Sequence, residues 1–480
     1  MSLDAARTST RAAFSRRGFL ALGALPLLGQ TKEPLALQLA RVFHAARFSD
    51  LPANAVKHAK MILASTLASA ASGTKIESAR IIRTLAVEQG GAAQASVWFD
   101  SARLPLAQTV RVNAMLSDAA ASDDSDLRNV AHTGTLVSAV GLAVGEFKNN
   151  SPKDVLCAMA VGYEAAGRFG DMVRGGRPGL HASFIVAFGG VVTASRLLGL
   201  TPEQMAHAIT LTASSIGGIL IGTDSWDREY MAGNAALAAI QTALAAQRGF
   251  TANPDLLEAK GGFLDTFGNN KVDLAAIARP MSAPWDIERY LAIKLVPGAH
   301  ALHSSLDAAI QASMQTKVPS AEIVKIVHSG PPKTSITYEP VVPKDMIEAI
   351  HSLPYFLATG VADRTFDWSH ITLEKMRRPE IARLIGLVEY EAMPASAHYD
   401  WNWGGTVTLV TKTGARVSVT VDAPRGSGPR GIEWAEVDTK YRALIQDSGL
   451  PAARQTQILA AVHDFENAPS VSALIRLLRR

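Results

Sequence analysis

The sequence predicts a mainly α-helical protein with a smaller α+β lid, because helical spacing dominates its first part and strand alternation appears only later. Apolar residues recur at spacings of three and four along 56–70, which places them on one face of a helix. Period-2 alternation appears at 406–410 and 416–421, around a turn that contains Gly414. We therefore expect a large all-helical domain and a mixed domain inserted before C-terminal helices.

Capping residues mark several helix starts and ends. Ser151 and Thr201 each place a hydroxyl before a proline at the first helical position, and Gln204 completes a capping box. Gly199 follows an apolar helix end, where a left-handed C-cap is expected. Periodicity and these signals predict a strand at 323–327 and helices at 51–72, 107–121, 135–147, 152–170, 181–198, 202–216 and 229–248.

Small residues are dense in these segments, so we expect tightly packed helices. Gly189 and Gly190 lie inside an apolar helix, where close packing explains them better than phosphate binding does. Prolines mark the change of pattern near 284. The predicted organisation is a signal peptide at 1–31, a helical domain at 32–283, an α+β lid at 284–430 and C-terminal helices at 431–480 that return to the helical domain.

The N-terminal segment has the composition of an export signal. Ser15-Arg16-Arg17-Gly18-Phe19-Leu20 resembles the twin-arginine motif, and the apolar run 18–29 is too short to span a bilayer. No clear small-residue cleavage site precedes Lys32. The sequence thus predicts export by the twin-arginine machinery to the periplasm, with a frayed apolar tail as the alternative. No stable membrane span is expected elsewhere.

Composition and charge exclude several classes of protein. In 480 residues, 48% are hydrophobic and 19% are charged, which excludes a disordered chain. Cys157 is the one cysteine, so neither an internal disulfide nor a multi-cysteine zinc site can form. Three of the four net positive charges fall within residues 1–30, so nucleic-acid binding is not expected. No nucleotide-binding, serine-hydrolase or zincin motif is present, and we expect no cofactor and no metal.

Four polar clusters stand out as candidate site residues. Asp124 and Ser125 belong to an acidic run that precedes His132, and a carboxylate there could orient or tune the histidine for proton transfer. His181 opens a predicted helix. The alternative for the acidic run is a solvated loop, and the alternative for His181 is a histidine that only caps or packs there. A divalent metal on the acidic run is the less favoured reading, because no matching ligand pattern follows.

The other two clusters supply cations. Arg228 comes just before a predicted helix, where it could bind a substrate carboxylate or simply pair with a neighbouring acid. Lys294 is followed by His300 and His303 in an apolar stretch at the predicted lid entrance. A solvated lysine is the alternative at that position.

At this point the chain resembles the MmgE/PrpD family, which includes 2-methylcitrate dehydratases and cis-aconitate decarboxylases. The resemblance covers most of 34–480 and depends on the order and spacing of several short segments. They are Phe48-Ser49-Asp50-Leu51-Pro52, His132-Thr133-Gly134 after the acidic run, Val161-Gly162-Tyr163-Glu164, Gly179-Leu180-His181-Ala182-Ser183, Leu197-Leu198-Gly199-Leu200, Lys294 with Pro297, His303-Ser304-Ser305-Leu306-Asp307-Ala308 and His351-Ser352-Leu353-Pro354-Tyr355.

The resemblance implies a helical domain with a smaller lid, a site between them, a homodimer, and chemistry on small polycarboxylates without a cofactor. By position it implies catalytic roles for His132, Ser125, Lys294 and Tyr338. Arg228 stands where the family commonly has lysine, which keeps the charge but changes its geometry.

Three positions depart from the family pattern. Ala121 replaces the first aspartate of the acidic loop, and Met231 replaces a histidine. Ala299 stands where decarboxylase-like members place a lid histidine, and His300 is one residue late. Because losing an acid or base typically costs about 10²–10⁴ in rate, the substrate or the reaction could have changed.

We therefore expect a cofactor-independent carbon–oxygen lyase, dehydratase-like, that acts on an acid similar to 2-methylcitrate. Lys294 and Arg228 would hold substrate carboxylates and His132 would move the proton, with Ser125 and Tyr338 as hydrogen-bonding partners. His181, His300, His303 and Asp124 are the further substrate-binding candidates. The alternatives are a dicarboxylate isomerase or epimerase, a decarboxylase, and a noncatalytic periplasmic carboxylate-binding protein.

Overall fold

Nine helices of the described chain build most of the larger core. The structure is a computed structural model that describes residues 33–176, 179–268, 271–333, 336–393 and 403–480; the predicted signal peptide lies outside them. The helices are α1 (Leu35–Ala45), α2 (Ala53–Gly73), α3 (Glu77–Gln89), α4 (Leu106–Ala119), α5 (Thr133–Lys148), α6 (Pro152–Val173), α7 (Ser183–Leu197), α8 (Pro202–Ser215) and α9 (Asp227–Gln247).

The capping signals in the sequence are confirmed. Ser151 Oγ accepts the backbone N–H of Asp154 at 3.1 Å, and Thr201 Oγ1 accepts that of Gln204 at 3.2 Å. Gly199 adopts φ +72°, as its place after α7 predicts. These bonds satisfy backbone groups that a helix end leaves unpaired, so they fix where α6 and α8 begin.

Glycine permits a close contact between α6 and α7, as the small-residue composition predicts. A Cβ on Gly162 of α6 would lie 2.7 Å from the carbonyl oxygen of Gly189 of α7. A Cβ on Gly189 would likewise lie 2.8 Å from the carbonyl oxygen of Gly162. The glycines of α7 therefore serve helix packing.

Short elements follow α9 and lead into the second part of the chain. The helices α10 (Phe263–Phe267), α11 (Leu274–Ile277) and α12 (Asp286–Arg289) are each about one turn long. Three strands precede them in sequence: β1 (Ala95–Ser96), β2 (Arg103–Leu104) and β3 (Asp124–Asp126). The strand after α12, β4 (Leu291–Ile293), pairs antiparallel with β3, and Ser125 lies opposite Ala292. This ladder joins the acidic run to the segment that carries Lys294.

A four-stranded sheet and its helices lie within residues 284–430, here called the lid segment, whose first elements, α12 and β4, pack in the larger core. Its strands are β5 (Ile323–Ser329), β6 (Val388–Glu391), β7 (Gly405–Thr411) and β8 (Arg416–Val421), in the order β6-β5-β7-β8. The β5–β6 pair is parallel and the other pairs are antiparallel. The helices are α13 (His303–Thr316), α14 (Met346–His351), α15 (Leu353–Asp363), α16 (Leu373–Met376) and α17 (Pro379–Ile385).

The buried apolar residues form two main clusters. The smaller cluster lies within 296–421, and the larger one joins residues 35–293 with 432–478. The C-terminal helices of the larger cluster are α18 (Trp434–Leu444), α19 (Ala452–His463) and α20 (Val471–Leu478). Residues 34–283 and 431–480 are here called the helical body. The predicted fold class, mainly helical with a small mixed sheet region, is confirmed, whereas the domain boundaries remain predictions.

Among the residues described, no helix combines the length and the apolar character needed to cross a membrane.

Candidate active site

A cavity of about 380 Å³ collects five of the nine sequence-predicted site residues between the helical body and the lid segment. These are His132, His181, Arg228, Lys294 and His300. The described lining also includes residues that the sequence did not single out as site residues, among them Arg128, Lys333, His351 and Trp403. Polar groups converging in one concave space are typical of a small-molecule site.

Asp123 organises the body side of this cavity. Its Oδ2 lies 2.9 Å from Nδ1 of His132, and its Oδ1 accepts a hydrogen bond from Nζ of Lys294 at 2.8 Å. Burial raises the pKa of this carboxyl, but His132 and Lys294 outweigh that effect and hold the pKa well below its usual range. Asp123 is therefore a carboxylate that accepts hydrogen bonds.

The tautomer of His132 follows from its neighbours. Nδ1 lies 2.9 Å from the Asp123 carboxylate and 2.8 Å from the carbonyl oxygen of Asp124, and both groups can only accept. Nδ1 therefore carries a proton. In the neutral ring Nε2 has a free lone pair, so His132 can act as a base at that nitrogen.

His181 has the opposite arrangement. The backbone N–H of Ser183 donates to Nδ1 of His181 at 3.1 Å, so the proton of the neutral ring is on Nε2. Burial, aided by the charges of His132 and Arg228, lowers the pKa of His181 to about 3. The ring is therefore neutral near pH 7 and offers an Nε2–H donor, suited to an oxygen that gains negative charge.

Two cations of the lining are already paired with protein groups. Arg228 is buried, and its guanidinium donates to the carbonyl oxygens of Asp118 and Ala119 at 2.9 and 3.0 Å. Its Nε lies 3.4 Å from the Asp118 carboxylate. Arg228 thus pairs with a neighbouring acid, which is the alternative that the sequence left open. The pair lies inside the protein and not on the surface. Arg128 is paired with Asp126 at 2.6 Å.

His300 lies in the cavity wall at 1% exposure, and neither ring nitrogen has a hydrogen-bond partner among the described residues. Its ring packs 4.6 Å from that of His303 and 5.1 Å from that of Trp403. Burial, followed by the charges of His303 and Lys294, lowers its pKa well below the usual value. His300 is therefore a neutral imidazole available to a ligand.

The remaining candidates lie behind or beside the cavity. Asp124 accepts the backbone N–H of Gly134 at 3.0 Å, and burial together with Asp123 raises its pKa to about 7. Ser125 is fully buried on β3, and His303 is buried behind His300. Tyr338 is absent from the described cavity lining. It lines a neighbouring pocket, where its hydroxyl accepts the backbone N–H of Lys333 at 3.0 Å.

Three side chains could in principle approach one metal ion. Oxygens of Asp118 and Asp123 and a ring nitrogen of His132 lie within 4.8 Å of one another. However, Lys294 contacts Asp123 and Arg228 lies beside Asp118, so two cations already compensate these carboxylates. This donor set fits a proton-transfer site better than a divalent cation.

Sequence reasoning missed the contributions of Asp123, Lys333 and Lys440. Asp123 had a local signal in the acidic run, but Lys333 and Lys440 are isolated residues in unremarkable sequence. Nζ of Lys440, on α18, lies 2.7 Å from Ser65 Oγ and 3.3 Å from the carbonyl oxygen of Asp123. These contacts connect the C-terminal helices to the site.

Comparisons with known proteins identify the family of the chain. The chain is 23% identical over 458 residues to cis-aconitate decarboxylase of Homo sapiens, covering 92% of this chain and 93% of the relative. It is 23% identical over 464 residues to cis-aconitate decarboxylase of Aspergillus terreus, covering 89% and 92%. Residues 37–275 match the MmgE/PrpD N-terminal domain and residues 297–466 the MmgE/PrpD C-terminal domain. The chain therefore belongs to the MmgE/PrpD family.

Proposed function

We propose that this protein is a cofactor-independent lyase that acts on a small di- or tricarboxylate. The observation that carries the proposal is the pair of histidines with opposite tautomers, His132 and His181, in one cavity lined by cations. Such a site can move a proton with one ring and stabilise negative charge with the other. The relatives named cis-aconitate decarboxylase support the same class of substrate.

The groups around the cavity match the charge that such a reaction develops. Breaking a bond next to a carboxylate leaves an electron pair delocalised onto the carboxylate oxygens. The Nε2–H of His181 and the ammonium of Lys294 would stabilise these oxygens, and Asp123 would hold His132 in the tautomer that exchanges a proton at Nε2. Closure of the lid segment would exclude water from the ion pairs.

The favoured reaction is decarboxylation of an unsaturated tricarboxylate such as cis-aconitate. The bond to the departing carboxylate breaks, its electron pair moves through the double bond, and the far alkene carbon takes up a proton. Protonated His132 would deliver that proton and would regain one from solvent. The near full-length similarity to cis-aconitate decarboxylases supports this version.

Dehydration is the second candidate, and Ala299 favours it. The family resemblance implies a histidine at this position in decarboxylase-like members, whereas Ala299 can neither donate nor accept a proton. In a dehydration neutral His132 would remove a proton next to a carboxylate, and the hydroxyl would leave as water after protonation. His300, which lines the same cavity, is the nearest candidate to assist the leaving group.

Incubation with cis-aconitate, citrate and 2-methylcitrate distinguishes these versions. Release of CO₂ with a new unsaturated dicarboxylate supports decarboxylation, and a new alkene without CO₂ supports dehydration. Deuterium uptake from solvent without either product indicates an isomerase or epimerase. Ligand-induced stabilisation without any chemistry indicates a binding protein. A His132→Gln variant as active as the wild type would contradict both lyase versions.

The export route and the assembly remain proposals. Replacing Arg16 and Arg17 with lysine should leave the protein in the cytoplasm, since the twin-arginine machinery reads both side chains. Cell fractionation measures this, and unchanged periplasmic recovery contradicts it. The proposed homodimer is tested by light scattering coupled to size-exclusion chromatography, where a mass near 50.9 kDa would contradict it.

A further inference from the structure

Lys333 is a buried cation in the cavity wall that faces the site from the lid segment. It follows β5 after Pro331 and Pro332, and only 9% of it is exposed. Its Nζ donates to the carbonyl oxygen of Gly404 at 3.1 Å, and its backbone N–H donates to Tyr338 Oη at 3.0 Å. The loop thus holds the ammonium in the wall of the cavity.

Its charge is compensated less than that of the other cations of the lining. Lys294 lies 2.8 Å from Asp123, Arg228 3.4 Å from Asp118, and Arg128 2.6 Å from Asp126. Within the described ranges, no carboxylate lies within ion-pairing distance of Lys333. Burial alone lowers the pKa of Lys333 to about 8, so the ammonium is still the main form near pH 7.

The position of Lys333 separates it from the proton-transfer groups. Burial, followed by the charge of Lys333, lowers the pKa of His328 to about 3, and His328 lines the neighbouring pocket. By contrast, the pKa of His300 is lowered first by burial and then by the charges of His303, Lys294 and His132. Lys333 contacts Tyr338 and Gly404 of the lid segment, whereas Lys294 contacts Asp123, so the two ammonium groups have different protein partners.

A desolvated charge without a counterion is costly, and a bound anion removes much of that cost. We propose that Lys333 binds a substrate carboxylate remote from the reacting carbon and thereby selects tricarboxylates over shorter dicarboxylates. This inference deepens the proposed function and depends on it for the identity of the substrate. Tyr338 then acts as a positioning residue, because its hydroxyl holds the backbone of Lys333.

Binding of two unreactive acids tests the role of Lys333 without turnover. Isothermal titration calorimetry would compare tricarballylate, which has three carboxylates, with succinate, which has two. Lys333→Met should weaken tricarballylate binding about 10- to 100-fold, the range expected for a hydrogen bond to a charged group, and change succinate binding less than about threefold. Lys344→Met, at an exposed lysine paired with Glu348, is the matched control and should change neither.

A pH series and a conservative variant separate charge from structure. Wild-type affinity for tricarballylate should fall as the pH rises through about 8, because Lys333 loses its proton there. Lys333→Arg should restore much of the affinity and keep it to higher pH, since arginine stays charged. Tyr338→Phe should weaken binding by a smaller factor without moving the pH dependence.

The outcomes distinguish the two proposals. Equal tricarballylate affinity in Lys333→Met and the wild type, or no binding to the wild type, overturns the role of Lys333. Binding that depends on Lys333 without turnover of any tested acid overturns the lyase and leaves the role of Lys333 intact. Turnover by Lys333→Met with the same KM as the wild type overturns the role of Lys333 and leaves the lyase intact.

Discussion

Asp123 lies 2.9 Å from His132 through one oxygen, and its other oxygen accepts a hydrogen bond from Lys294 at 2.8 Å. The aspartate comes from the loop that ends at α5, whereas the lysine directly follows β4. A single buried carboxylate thus fixes the tautomer of the histidine and the position of the cation. The Asp123–Lys294 pair connects the helical body to the lid segment, next to the histidine that we propose moves the proton.

Asp123→Asn should reduce kcat about 10²–10⁴-fold, because an amide can present N–H to Nδ1 and reverse the tautomer of His132. It also removes the countercharge of Lys294. Steady-state kinetics measures the loss, and thermal unfolding checks that the variant folds. Thr135→Val is the matched control, since it removes only a hydroxyl that donates to Asp123 at 3.0 Å. Equal losses in the two variants would contradict the tautomer argument.

His181→Phe should lower kcat about 10²–10³-fold, the range measured when one donor to a developing negative charge is removed. Because the pKa of His181 is lowered to about 3, the ring stays neutral between pH 5 and 8 and should add no inflection to the pH–rate profile there. Ser183→Ala removes the hydroxyl that lies 2.7 Å from Nδ1 of His181 but retains the backbone N–H that sets the tautomer, so it should change the rate little. A large loss in Ser183→Ala would show that the hydroxyl matters instead.

Lys440→Met should raise stability near neutral pH while lowering activity. Burial lowers the pKa of Lys440 to about 7, so between about pH 7 and 10 the unfolded chain binds the proton more strongly and wild-type stability rises with pH. The stability gain of the variant is therefore largest at pH 7 and below, and shrinks toward pH 10. Activity falls because the contact with the Asp123 carbonyl is lost.

Denaturant unfolding at several pH values measures this effect. Lys57→Met is the control, since Lys57 is a partly exposed lysine 3.8 Å from Glu433. A pH-independent difference between Lys440→Met and the wild type would show that Lys440 keeps its ordinary pKa in the folded protein.

Gly134→Ala should disturb the acidic loop. A Cβ there would lie 2.4 Å from Oδ1 of Asp124 and 2.7 Å from Cγ2 of Ile62, too close for either neighbour. We expect a loss of about 1–3 kcal/mol in the free energy of unfolding and a lower kcat. Gly217→Ala is the control, because its Cβ would meet nothing within 4 Å. Wild-type stability in Gly134→Ala would contradict the geometry of this loop.

Most of the fold was predictable from local sequence patterns, because capping residues and apolar spacing act within a few residues. The starts of α6 and α8 and the hairpin of β7 and β8 follow directly from such patterns. The β3–β4 ladder was not predicted, since three polar residues of the sequence Asp-Ser-Asp show no strand alternation.

The candidate site was only partly predictable, because its contacts join distant segments. Lys294 and Asp123 are 171 positions apart, and Lys440 is 317 positions from Asp123. Polar clusters in the sequence, and then the family resemblance, indicated His132 and Lys294, but a lone lysine such as Lys333 has no sequence signal. Its burial, and the absence of a carboxylate near it among the residues that the structure describes, emerge only when the chain is folded.

The backbone pairing of β3 with β4 is the first of several main-chain links between the acidic run and the segment that carries Lys294. Lys294 is anchored directly after β4, and its backbone N–H donates to the Asp123 carbonyl at 3.1 Å. Further along, Gly298 donates its backbone N–H to the carbonyl oxygen of Ala121 at 3.3 Å. These main-chain bonds hold Lys294 beside Asp123 and His132 without help from a ligand, so we expect each catalytic cycle to begin from a preformed acid–base pair.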